Sequence, residues 1–361
     1  MPTTTFIPIG GFLGAGKTTF MLAVASYLQA QGASVCCITN DQGEELVDTR
    51  LSISAGLDTT QITRGCFCCK YDELSEVITH IITYVMPDYI LAEAVGSCTD
   101  LNATVIKPLK REFGERIEVF PLSVLADPSR IIAFMKEEAI DRSELHYLFG
   151  KQIEEAAVIL LNKTDLYLHE QISVAHKYIR EMNESAAIIM SSARQRDGIE
   201  AWYNQLCESS ERSIASLDIN YDTYGRAEAM LGWLNAGYLL QGRMQSVVTA
   251  AQTLASALAQ QFKHSGIDVA HVKLWFQETG NSLKMSAVDQ HGFEIDHITN
   301  PNWSSDRVTL VINARLVADP TLIWEVCTKV MLEFASNFNL QATEENLQCF
   351  APAMPVPTHR L

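Results

Sequence analysis

The residues best placed to do chemistry come first in the chain: Gly11-Phe-Leu-Gly14-Ala15-Gly16-Lys17-Thr18-Thr19, of which the first eight fit G-x-x-x-x-G-K-[ST]. Glycines at this spacing let backbone N–H groups face inward around the α- and β-phosphates of a nucleotide. A helix starting behind them adds free N–H groups and partial positive charge. Lys17 would reach the β- and γ-phosphates, the Thr18 hydroxyl would ligate Mg²⁺, and Ala15 and Thr19 complete the loop's contact set. An ordinary glycine-rich turn would need no particular flanks. Here the apolar run Thr5–Gly10 precedes the loop as a strand, and Phe20–Leu28, free of Gly and Pro, follows it as a helix. That context makes it a nucleoside triphosphate site.

Three of the nine cysteines, Cys66, Cys68 and Cys69, fall within four residues in Arg64-Gly65-Cys66-Phe67-Cys68-Cys69. Three thiolates this close repel one another unless a cation compensates them. Soft sulfur favours Zn²⁺, Co²⁺, Ni²⁺ or Cu⁺ over Mg²⁺ or Ca²⁺. Adjacent Cys68 and Cys69 diverge in an extended chain, so convergence requires a tight turn at Gly65 or Phe67. Asp41, Glu44 or Cys98 could complete the set; a structural thiol cluster or a disulfide is the plainer alternative. Cys36, Cys37, Cys207, Cys327 and Cys349 read as small buried apolar residues.

Two strand ends add the rest. Asp88–Ala92 is an apolar run that delivers Glu93, with Gly96 three positions on, which suits a carboxylate facing Mg²⁺ or the γ-phosphate. Asp41, in the polar turn after the strand Ala33–Thr39, is a second catalytic candidate. The strand Ala156–Leu161 ends in Asn162-Lys163-Thr164-Asp165. A carboxylate at Asp165 can accept from guanine N1–H and its exocyclic amino group together, a pair of donors that adenine lacks. Lys163 could pack its stem over the base, with Ser192 and Ala193 buttressing it.

The elements positioning these residues alternate. Apolar strands (those above, Glu118–Leu125 and Ala186–Met190) are separated by helical segments such as the amphipathic run Asp72–Tyr84; residues 50–63 give no clear periodicity. This rhythm predicts a parallel sheet with helices on both faces over residues 1–215. Beyond it the order becomes strand (227–240), helix (244–264), strands (269–276, 282–288, 307–315), helix (320–336) and a closing segment (340–350). We read this as a smaller α+β domain over 216–350 with an antiparallel sheet. Residues 351–361 form a Pro-rich extended tail.

Bulk properties narrow the partners. A chain of 361 residues suggests two domains. A formal charge of −16 gives no attraction to nucleic acid or to anionic membranes, so neither is expected as a partner. No apolar run approaches a membrane span of ~18–20 residues. The absence of a basic, apolar leader and the odd number of cysteines lead us to expect reduced thiols and a cytoplasmic location.

Taken together, Gly11–Thr18, Gly65–Cys69, Glu93-Ala-Val-Gly96 and Asn162–Asp165 resemble, in that order, the motifs of CobW-type GTPases, relatives of the nickel chaperones HypB and UreG. The resemblance runs from about Phe6 to Trp202 by motif and covers the remainder only in outline; C-x-C-C is its most specific part. It implies a P-loop GTPase fold, GTP and Mg²⁺ binding, slow GTP hydrolysis, and a transition metal (Zn²⁺ or Co²⁺) on the C-x-C-C cysteines. The implied role is metallochaperone or metal insertase for a metalloprotein or corrinoid-dependent client, with a homo-oligomer compatible. On that reading Lys17 and Thr18 are the phosphate and Mg²⁺ groups and Cys66, Cys68 and Cys69 the metal thiolates. Glu93 is the acidic switch residue, and Asn162, Lys163 and Asp165 read guanine. The chain departs from the pattern with Asp41 where Glu is frequent, with Cys98 as an extra thiol, and with nine scattered histidines instead of a His-rich loop, which argues against bulk zinc storage. Two other functions fit parts of the pattern: a metal-sensing or buffering GTP-binding protein without turnover, and a P-loop kinase, which Asp165 disfavours.

Overall fold

The computed structural model describes residues 4–40, 47, 52–53, 56, 58–135, 143–209, 216–288 and 292–361. It divides into two compact units, one comprising Met1–Gln42, Asp48–Ala227 and Met354–Leu361, the other Gly43–Val47 and Glu228–Ala353.

The first unit is built on an eight-stranded sheet in which every pairing is parallel. Its strands are β1 (Thr4–Gly11), β2 (Val35–Asn40), β3 (Asp58–Ile62), β4 (Tyr89–Glu93), β5 (Ile117–Val119), β6 (Ser123–Ala126), β7 (Val158–Leu161) and β8 (Ala187–Met190). Their order is β3-β2-β4-β1-β6-β7-β8, with β5 paired beside β1. Strands β1, β2, β6 and β7 are buried along their whole length, because helices cover both faces of a parallel sheet and leave no polar side. Two details differ from the periodicity. The run Glu118–Leu125 is two strands, since Pro121 between them has no N–H for a ladder. Edge strand β3 alternates exposed, half-buried and buried residues, so its sequence carries no apolar run.

Helix α1 (Lys17–Ala30) leaves the phosphate loop directly and buries Phe20, Val24 and Leu28. Phe20 meets Trp202 edge to face at 5.0 Å, on the helix α2 (Ile199–Glu208), and the Trp202 indole N–H donates to Ser123 Oγ at 2.8 Å. This contact joins α1, the start of β6 and α2, so the base of the phosphate loop rests on packed aromatic surface.

The second unit is a six-stranded antiparallel sheet of order β12-β11-β10-β13-β9-β14, its strands being β9 (Leu231–Met244), β10 (Asp268–Glu278), β11 (Asn281–Ala287), β12 (Glu294–Ile298), β13 (Ser305–Val317) and β14 (Gln341–Phe350). Two helices, Val247–His264 and Pro320–Asn337, share one core with the sheet through residues such as Leu254, Leu258, Val326 and Val330. Pro320 opens the second of these helices, and Asp319 caps it by accepting from the Thr321 N–H at 2.8 Å.

Candidate functional site

The carboxyl ends of β1, β2, β4 and β7 deliver the candidate residues to one edge of the parallel sheet, where ligands of open α/β sheets bind. In the phosphate loop, Gly11 (φ +132°) passes so close to β6 that an added Cβ would sit 2.4 Å from the Leu125 carbonyl oxygen. Gly16 (φ +92°) leaves 2.5 Å between such a Cβ and Asn162 Nδ2. Neither position tolerates a side chain, and the loop between them is a cradle shaped for an anion. Lys17 is buried and lies over the loop, donating to the carbonyls of Gly11 at 3.0 Å and Phe12 at 3.4 Å. The Thr18 hydroxyl donates to Glu93 Oε1 at 3.1 Å, so the two groups read as facing Mg²⁺ stand side by side.

At the end of β7, the four residues Asn162–Asp165 divide their work. Asn162 Nδ2 donates to the Ala15 carbonyl at 2.8 Å, and Asn162 Oδ1 accepts from the Ala193 N–H at 3.0 Å. Its amide therefore clips the phosphate loop to the Ser192-Ala193 turn. Lys163 takes the left-handed conformation (φ +61°) and pairs with Asp127 Oδ2 at 2.7 Å. Burial alone would push the Asp127 carboxyl up. The Lys163 ammonium and the hydrogen bonds from Lys163 and Ser129 outweigh it and hold the group below the usual carboxylate range. Asp165 is exposed, and among the described residues its carboxylate has no partner, leaving both oxygens open to a base. The Ser192–Asp197 bridge, with N–H to carbonyl distances of 3.2 Å and 3.0 Å, holds the turn that carries Ala193.

Cysteines 66, 68 and 69 converge: their sulfurs lie within 4.8 Å of one another, with Cys66 and Cys68 buried and Cys69 half-buried. The turn that gathers them runs over Cys66 to Lys70, where the Cys66 carbonyl accepts from the N–H groups of Cys69 at 3.1 Å and Lys70 at 2.9 Å. Asn40, the last residue of β2, fixes this turn to the sheet. Its Nδ2 donates to the Ile62 and Gly65 carbonyls at 3.0 Å and 2.7 Å, and its Oδ1 accepts from the Phe67 N–H at 2.9 Å. All nine cysteines are free thiols, so no disulfide forms the cluster. Cys66 and Cys68 approach to 2.6 Å and Cys68 and Cys69 to 3.8 Å, the latter close to the roughly 3.8 Å edge of a tetrahedron with Zn–S bonds of about 2.3 Å. Hydrogen bonds from Cys68, Cys69 and Cys98 hold the Cys66 thiol well below its ordinary range. Cys68, which supplies one of those bonds, is pushed up. Metal binds a cysteine sulfur as the thiolate. The donor chemistry fits a soft transition metal.

Two side chains that position the site escape sequence reasoning. Asp127 directly precedes the helix Pro128–Met135 in an Ala-Asp-Pro-Ser stretch with no motif to mark it, and Asn40 is the last residue of β2, ahead of a polar stretch of sequence in which only the acids are candidates. Two catalytic or metal candidates, Asp41 and Glu44, lie outside the described residues. Cys207 is exposed and Cys349 half-buried, unlike the buried role read for them; Cys36, Cys37 and Cys327 are buried. Burial pushes the thiols of Cys36 up to about 11 and of Cys37 and Cys327 up to about 12, so these stay protonated and inert.

A phosphate cradle between β1 and α1, a hydroxyl–carboxylate pair beside it and an open aspartate at the end of β7 define a P-loop nucleotide-binding protein. Residues 5–190 match the family model described as "CobW/HypB/UreG, nucleotide-binding domain". The chain belongs to that family of P-loop GTPases. Among curated relatives it is similar to "Zinc-regulated GTPase metalloprotein activator 1" of Dictyostelium discoideum, with 25% identity over 51% of this chain and 45% of that one. It is similar also to "Zinc chaperone CobW" of a Sinorhizobium species, with 28% identity over 44% of this chain and 50% of the relative. The matches thus span about half the length of these relatives. Similar solved structures include HypB from Helicobacter pylori in complex with nickel (TM-score 0.42, 15% identity, 61% of this chain and 93% of that one). Another is the Zn(II)-bound YjiA GTPase from E. coli (TM-score 0.40, 14% identity, 91% of this chain and 99% of that one). Among the described residues no helix is long and apolar enough to cross a membrane.

Proposed function

We propose that this protein binds GTP with Mg²⁺, hydrolyses the GTP slowly, and couples its nucleotide state to delivery of a transition metal to a client metalloprotein. The observation that carries the reading is the shared sheet edge. Asn40 pins the thiol turn to the end of β2, while β1 and β4, in the same sheet, bear the phosphate loop and Glu93. A rearrangement at Glu93 on loss of the γ-phosphate has one strand spacing, β4 to β2, to cross before it reaches the turn that carries the sulfurs.

On this reading the metal is cargo, taken up and released. The names of the two curated relatives favour Zn²⁺, with Co²⁺ the second choice that the same ligands accept. Lys17 and the loop N–H groups neutralise phosphate charge, Thr18 and Glu93 would hold Mg²⁺ directly or through water, and Asp165 selects guanine. With no arginine placed as a finger among the described site residues, turnover alone is slow and a partner would speed it. The client is a metalloprotein or a corrinoid-dependent protein.

The test is GTP turnover together with metal release from zinc-loaded protein, in the parent and in Lys17→Ala. Release into a chelator that follows GTP hydrolysis and stops in Lys17→Ala supports the reading. Metal-dependent GTP affinity with no turnover, in any client's presence, would instead make the protein a metal sensor or buffer.

A further inference from the structure

We propose that Asp127 is the positioning residue behind guanine specificity: its carboxylate grips the chain on both sides of Asp165 and so fixes where the base-reading carboxylate stands. The inference rests on the reading of Asp165 as the guanine contact and says what holds it in place.

Asp165 is exposed and sits in the short 3₁₀ turn Thr164–Leu166. A turn this short has no core of its own, so its place is set by what the flanking residues hold. Both flanks end on one carboxylate. Lys163 Nζ donates to Asp127 Oδ2 at 2.7 Å, and the Tyr167 hydroxyl donates to Asp127 Oδ1 at 2.9 Å. Asp127 is itself 1% exposed and directly follows β6. Its Oδ1 also accepts from the Ser129 N–H and the Ser129 hydroxyl, both at 2.8 Å, at the start of the helix Pro128–Met135. The bracket is thus tied to the sheet and to a helix rather than to the loop it holds.

The backbone beside Asp165 needs such a bracket. A lysine keeps the left-handed φ of +61° seen at Lys163 only where its surroundings fix it. Here the ammonium is held by Asp127, the Lys163 carbonyl accepts from the Leu166 N–H at 3.0 Å, and the Thr164 N–H donates to the Ser191 carbonyl at 3.1 Å. The same ion pair directs the Lys163 stem along the phosphate loop, where a Cβ at Gly16 would lie 4.0 Å from Lys163 Cε. An asparagine at 127 would have one acceptor oxygen in place of two. Whichever way its amide turned, an NH₂ would face the Lys163 ammonium or the Ser129 N–H, and neither can accept.

The experiment is calorimetry of GDP and ADP binding to the full chain, in the parent, Asp127→Asn, Tyr167→Phe and Asp165→Asn, with the melting temperature as the check on folding. Asp127→Asn should weaken GDP binding by about 10- to 100-fold, the worth of one hydrogen bond to a charged group, and ADP binding far less. The preference for guanine then collapses although Asp165 is still present. Tyr167→Phe should narrow the preference in the same direction by about tenfold or less. A folded Asp127→Asn with the parent's ratio of GDP to ADP affinity overturns the proposal, including where both affinities fall together, as a purely structural role would make them. Where Asp127→Asn does not fold, Tyr167→Phe decides, and an unchanged ratio there overturns it. Loss of the preference in Asp165→Asn upholds the guanine reading independently of Asp127, whereas a parent that binds GDP and ADP equally ends that reading and the proposal with it.

Discussion

At the residue scale, selectivity comes down to one exposed carboxylate. Asp165 has both oxygens open, and only guanine offers two donors to fill them; Asp165→Asn replaces one acceptor by a donor and should shift preference from GTP to xanthosine triphosphate. Calorimetry of the parent with GTP and ATP checks the premise, and equal affinities would end it. Asn162 makes a different prediction from the same motif. Its amide is already paired at both ends, to Ala15 and Ala193, so it is a clip between loops. Asn162→Ala would strand one buried acceptor and one buried donor and should destabilise the protein by about 2–4 kcal/mol in urea unfolding. A loss below about 0.5 kcal/mol would show that water replaces both bonds. The contrast marks what the sequence makes readable. N-K-x-D announces a guanine site, but which member touches the base depends on where β1, β7 and β8 end in space. Asp127 is invisible for the same reason: it acquires Lys163 only because β6 and β7 pair in register, Ala126 beside Leu161.

At the scale of elements, apolar periodicity locates the strands β1, β2, β4 and β7 that carry the site, because burial on both faces imposes a continuous apolar run. The helix behind the phosphate loop is also legible, whereas Ser143–Glu155 and Ile199–Glu208 are not. The method fails where burial fails, at edge strand β3 and the half-exposed β12. Packing beneath the loop gives a further test. Trp202 is fully buried against Phe20, and Trp202→Ala should cost about 3–5 kcal/mol. A smaller loss in chemical denaturation would show that α2 collapses into the space. The helix ending at Glu155 adds a pH dependence. Burial pushes the Glu155 carboxyl up to about 8 from 4.5, with hydrogen bonds from Asn102 and Thr99 opposing and Asp100 reinforcing. Between those values the folded chain holds a proton that the unfolded chain has released. This contribution to stability is complete below about pH 4.5 and is lost as pH rises through 8. In metal-free protein, the melting temperature of Glu155→Gln should fall less steeply than the parent's across that window. Parallel profiles would mean that Glu155 is already ionised in the fold.

Across the whole molecule, the tail is the least anticipated feature. Pro-rich sequence reads as extended chain, and an extended chain has no apolar period to say where it docks. Residues Met354–Leu361 nonetheless belong to the nucleotide-binding unit. The Thr358 N–H donates to the Cys68 carbonyl at 2.9 Å. Arg360 pairs with the buried carboxylate of Asp100 at 2.8 Å. Removing 354–361 should therefore speed metal loss to a chelator, and Arg360→Ala alone should cost about 1–3 kcal/mol by leaving Asp100 short of its cation. Unchanged release kinetics in the truncated protein would reduce the tail to packing.

Coupling between nucleotide and metal is the central claim, and linkage makes it directly measurable: if nucleotide state alters metal affinity, metal alters nucleotide affinity by the same factor. The decisive measurement is the Zn²⁺ and Co²⁺ affinity of the parent with GDP and with a non-hydrolysable GTP analogue, beside the Cys66/Cys68/Cys69→Ser variant. The account predicts affinities that differ between the two nucleotide states by about 5- to 150-fold in the parent, with the high-affinity site absent from the variant. Identical metal affinity in both nucleotide states would contradict it.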